Sequence, residues 1–69
     1  MKTMNKFELL AYARDAVKVK LDEYTAKAEE TEKEFGINDS MARYWADKYQ
    51  EQYNEILELL MDAFFNPEN

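Results

Sequence analysis

Five carboxylates, Asp47, Glu51, Glu55, Glu58 and Asp62, follow one another at steps of 4, 4, 3 and 4 residues. On a helix this spacing places all five on one face, which makes them the residues of this chain best arranged to act together. Three kinds of chemistry suit such a row. A solvated face needs only water and compensating cations across the molecule, for which Arg14, Lys18 and Lys20 are the candidates. Lys20 with Glu55 is the foremost pair, and an exposed pair contributes about 0–1 kcal/mol. Regularly spaced anions also present the potential that attracts a basic groove on a nucleic-acid enzyme, a device used by small acidic phage inhibitors. Finally, carboxylates inside a helical bundle can hold two metal ions, but that pattern joins each Glu to a Glu-x-x-His motif. The chain has no His, and its acids fall outside the predicted core, so no metal and no cofactor is expected.

Other constellations are weaker. Without Cys or His there is no nucleophile and base pair of the usual kind. The only Ser, Ser40, has a place at the start of a helix, and one Gly cannot build a phosphate-binding loop. Paired carboxylates can do acid and base work, but two helices offer no deep pocket for a substrate. The sequence therefore predicts a protein that is not an enzyme. The aromatic run RYWADKYQEQY (43–53) invites base stacking. Trp45, Tyr49 and Tyr53, however, fall on or beside an apolar stripe and read as core residues with polar tips. Tyr44 lies off the stripe and is the better candidate for an exposed contact.

The chain carries nine basic and fifteen acidic residues, a net charge of −6, which disfavours non-specific binding to nucleic acid or an anionic membrane. Residues 1–27 sum to +2 and residues 28–69 to −8, so the two halves are electrostatically complementary. Direct RNA binding by the basic stretch of the first half is disfavoured because neighbouring acids cancel much of its field. No run is apolar enough for a signal peptide or a membrane span. With no cysteine present, a cytoplasmic location is expected.

The elements that position these residues can be read from the ends inward. Asn5 suits an N-cap, Glu8 completes a capping box, and Met4 can staple to Leu9. Phe7, Leu10, Arg14, Val17, Leu21, Tyr24, Ala28, Thr31 and Phe35 then alternate steps of 3 and 4, a heptad seam. Glu23 with Lys27 and Glu29 with Lys33 are expected as pairs along its outside. Gly36 follows, where a helix ends in the left-handed region. Asn38 or Asp39 caps a second helix, which Asn66 and Pro67 should end. The expectation is an all-α single domain over residues 1–69, an antiparallel two-helix hairpin with helices at about 6–35 and about 39–65 joined by a turn at 36–38.

For the second helix the seam is read as Ala42, Trp45, Tyr49, Gln52, Ile56, Leu59 and Ala63. Folding back at Gly36 then layers Ala28 with Trp45, Tyr24 with Tyr49, Leu21 with Gln52, Val17 with Ile56 and Arg14 with Leu59. Arg14 should lay its stem over Leu59 and place its guanidinium beside Glu55 or Glu58. Gln52 should fix register at some cost in stability.

Sixty-nine residues without disulfides make a marginal core. Tyr53, Leu57, Leu60 and Phe64 form a second stripe at the open end, with Met61 and Phe65 beside it. Leu9, Tyr12, Ala13, Ala16 and Val19 widen it. Leu9, Tyr53, Leu57, Leu60, Met61, Phe64 and Phe65 are accordingly predicted to self-associate, giving a homodimeric four-helix bundle. In architecture alone, with no shared motif, this arrangement is similar to small dimeric RNA-binding hairpins. The function expected is that of a small acidic interaction or regulatory protein whose acidic face engages another protein. A nucleic-acid-mimicking inhibitor is the alternative.

Overall fold

The computed structural model describes residues 3–65 and is all-α. Helix α1 spans Lys6–Phe35 and α2 spans Ser40–Phe65, folded back on each other as a hairpin 50 Å long. Asn5 caps α1, its Oδ1 accepting from the Glu8 backbone N–H at 2.8 Å. The reciprocal bond differs from a standard capping box: the Asn5 side-chain amide, rather than its backbone, donates to Glu8 Oε1 at 2.9 Å. Met4 and Leu9, expected to staple together, are both exposed. At the other end Gly36 takes φ 65° and ψ 19°, and its N–H donates to the Glu32 carbonyl. That left-handed geometry closes the last turn of α1 and costs a glycine little.

Asp39, not Asn38, starts α2: its Oδ1 accepts from the Ala42 N–H at 3.0 Å. Its other oxygen lies 3.2 Å from the Thr31 hydroxyl, which is also 3.0 Å from the Lys27 carbonyl. One hydroxyl proton thus serves both acceptors in turn, tying the cap of α2 to the last turns of α1. Asn66 and Pro67, expected to end α2, lie outside the described residues.

The core is thin. Its buried side chains are Leu21 and Ala28 from α1 and Ala42, Ala46, Leu60 and Ala63 from α2. Along α1 the expected seam holds from Leu10 to Thr31, whereas its ends, Phe7 and Phe35, are exposed. Along α2 the expected seam holds at Ala42, Tyr49, Ile56 and Ala63, but its other three positions are displaced by one residue. Ala46, Tyr53 and Leu60 face inward, and Trp45, Gln52 and Leu59 are exposed. The reason is packing. Alanine at 46 lets the helices close beside Ala28, which is 0% exposed, and Gln52 in the seam would bury an amide with no partner. Tyr24 still meets Tyr49 as expected, rings stacked with centroids 5.7 Å apart.

Candidate functional site

The five carboxylates of the acidic row are all exposed. By helical geometry they occupy an arc of about 80°, diametrically opposite the stripe from Ala42 through Ala46, Tyr49, Tyr53, Ile56 and Leu60 to Ala63. The row therefore forms the outermost ridge of α2. It runs about 22 Å at about 1.5 Å per residue.

The cations expected to compensate it are engaged elsewhere. Arg14 Nε lies 3.1 Å from Asp15 Oδ1, Lys18 Nζ 2.6 Å from Asp22 Oδ1, and Lys20 Nζ 3.5 Å from Glu23 Oε2. This corrects the expected placement of Arg14 beside Glu55 or Glu58 and of Lys20 beside Glu55. Glu23 likewise meets Lys20 rather than Lys27. Partners three or four residues away on the same helix, or next in sequence, are reached without crossing the hairpin. The hydrogen bond to Asp22 holds the Lys18 ammonium above its ordinary pKa, against an opposing desolvation and with help from the Asp22 charge.

One ion pair that does cross the hairpin was not anticipated. Arg43 donates through Nε to Glu32 Oε1 at 3.0 Å and through its second nitrogen to Oε2 at 3.1 Å. This fork raises the guanidinium pKa further, the hydrogen bond to Glu32 leading and its charge second. The signal was present in the sequence: Glu32 stands four residues before Gly36 and Arg43 four residues after Asp39. A turn tight enough to cap both helices brings those two positions level.

The two long sides of the hairpin differ. On one, the Arg43 and Glu32 fork is followed by Lys18 with Asp22 and Arg14 with Asp15, since Lys18 lies two heptads before Glu32. On the other, Trp45 leans on Tyr24 and Tyr49, with centroids 6.4 and 6.2 Å away, and meets Tyr44 edge-on at 5.3 Å. Lys48 Nζ sits 5.6 Å from the Tyr44 ring centroid, a cation–π contact. Tyr44 is exposed, the position expected of it, while Trp45, expected in the core, is 41% exposed.

Of the residues assigned to self-association, the hairpin itself buries Leu60 and half-buries Tyr53 and Leu57. These belong in large part to the contact between α1 and α2, a consequence of the one-residue displacement within the seam. Leu9, Met61, Phe64 and Phe65 remain exposed, Met61 at 61% and Phe64 at 68%. Tyr12 and Val19 are exposed beside Leu9. Among the described residues no group of three or more acids is placed to hold a metal ion, and no helix is long and apolar enough to cross a membrane. No family model, curated protein or solved structure matches this chain.

Proposed function

We propose that this chain is a non-enzymatic, acidic protein-interaction module of the cytoplasm that works as a homodimer of helical hairpins, a four-helix bundle. The thin core supports this reading. Among the described residues, four of the six buried side chains are alanines, while fourteen large apolar residues are exposed. Two leucines and four alanines leave little apolar burial to offset the conformational entropy of ordering so many residues. A second copy supplies the missing burial, and most of the acidic ridge is left outward for another protein. Sedimentation equilibrium over a wide concentration range tests this. A dimer at about micromolar concentration is the expected result; a well-folded monomer throughout would overturn the self-association.

One observation favours the second reading, an acidic mimic of nucleic acid. Arg14, Lys18 and Lys20 are all engaged within α1, so they do not neutralise the ridge from across the hairpin. On this reading the native chain inhibits an enzyme with a basic nucleic-acid groove, and Glu51→Gln with Glu55→Gln and Glu58→Gln abolishes inhibition while helicity is kept. Inhibition that survives the triple substitution removes the ridge from the mechanism.

A further inference from the structure

We infer that the second copy docks on the side of the hairpin marked by Trp45, Gln52 and Leu59, with the twofold axis at Gln52. This rests on the self-association proposed above and assigns its surface and register. The three residues are spaced by seven, so they form one stripe beside the α2 seam. Each is exposed in the single hairpin, Trp45 at 41% and Leu59 at 42%. They have heptad spacing and large apolar ends, and the hairpin covers Trp45 and Leu59 only in part.

The opposite side is the poorer docking surface. A copy seated there would take three ion pairs out of water, those of Arg43, Lys18 and Arg14, and desolvating charges is costly. On the Trp45 side lies the pair of Lys20 and Glu23, the longest of these four at 3.5 Å.

Register follows from the sequence of the stripe. Trp45 and Leu59 stand seven residues to either side of Gln52. An antiparallel twofold at Gln52 therefore sets Trp45 of one copy against Leu59 of the second, and Leu59 against Trp45. By seam register, Leu59 has the small Ala13 of α1 beside it, which leaves room for an indole. Charge agrees with this pairing. Lys48 lies four residues before Gln52 and Glu55 three after, so the same axis brings Lys48 of each copy level with Glu55 of the other. At the axis the two Gln52 amides can donate to and accept from each other, which fixes register.

The area is sufficient. Overlap from residue 41 to 63 runs about 33 Å, and two helices side by side measure roughly 20 Å across. The contact is then of the order of 700 Å² per copy, within the range of about 600–1,000 Å² that stable interfaces use. Leu9, on this same side, joins the contact. Met61 and Phe64, on the other side, do not.

The chain contains no cysteine, so single-cysteine variants read the interface directly. Gln52→Cys and, on the ion-paired side, Gln50→Cys are oxidised mildly at a concentration where the native chain sediments as a dimer. Gln52→Cys should form covalent dimer at least about tenfold faster, because only near the axis can two Cα atoms come within about 7 Å. Leu59→Glu, a change at an exposed position, should shift the sedimenting mass to monomer with helicity retained, and Phe64→Glu should not. Equal or faster cross-linking of Gln50→Cys overturns this assignment, as does a dimer that survives Leu59→Glu. A native chain that is monomeric at every concentration overturns the self-association itself.

Discussion

Near the turn, Arg43 forks onto Glu32 across the hairpin, Asp39 joins the start of α2 to Thr31, and the alanines 28, 42 and 46 let the backbones close. At the open end, burial is carried by Leu60 and Ala63 with half-buried Leu10 and Leu57, while Phe7, Leu9, Met61, Phe64 and Phe65 stay exposed. The turn end is specified by directional bonds between groups close in sequence. The open end brings together residues some fifty positions apart, and closing so long a loop needs apolar burial to offset its entropy. A hairpin so built has its register set at the turn and its stability set by what covers the far end.

Substitutions can break or sharpen that contrast. Leu60→Ala should have the largest effect, a loss of about 2–5 kcal/mol in urea unfolding. A loss smaller than that of any turn substitution would show that the open end does not govern stability. Ala28→Leu follows at about 1–3 kcal/mol, since this fully buried position has no room for added methylenes. Gly36→Ala should cost about 1–2 kcal/mol from its left-handed backbone alone, because nothing lies within 4 Å of the added methyl. It should leave the sedimenting mass unchanged, and a shifted mass would mean that the turn also sets assembly. Smallest is Arg43→Met, because an exposed ion pair adds little to stability. Its effect should fade in high salt, whereas that of Leu60→Ala should not.

Much of the turn end, and the cap of α1 at the open end, were legible in the chain itself. Asn5 with Glu8, Gly36, and the Asn38 or Asp39 cap rest on bonds spanning three or four residues, which local chemistry dictates. The acidic ridge was legible for the same reason, because helical spacing alone puts its members on one face. One of the two rows of the α2 seam was not. Trp45, Gln52 and Leu59 repeat with the same period as Ala46, Tyr53 and Leu60 and lie one residue away, so periodicity cannot choose between them. Ion pairing went wrong similarly: Arg14, Lys18 and Lys20 have acids both along the helix and across the hairpin, and sequence spacing gives no distance across it.

Two helices, their caps, the turn and the outward face of the acids were thus settled by amino-acid order, since each depends on contacts within about one helical turn. Which stripe of α2 closes on α1, which cations stay on their own helix, and which apolar side chains are left uncovered were decided only when the helices packed. Those choices depend on how closely two backbones can approach, and Ala28 and Ala46, by admitting the closest approach, turned Trp45 and Leu59 outward.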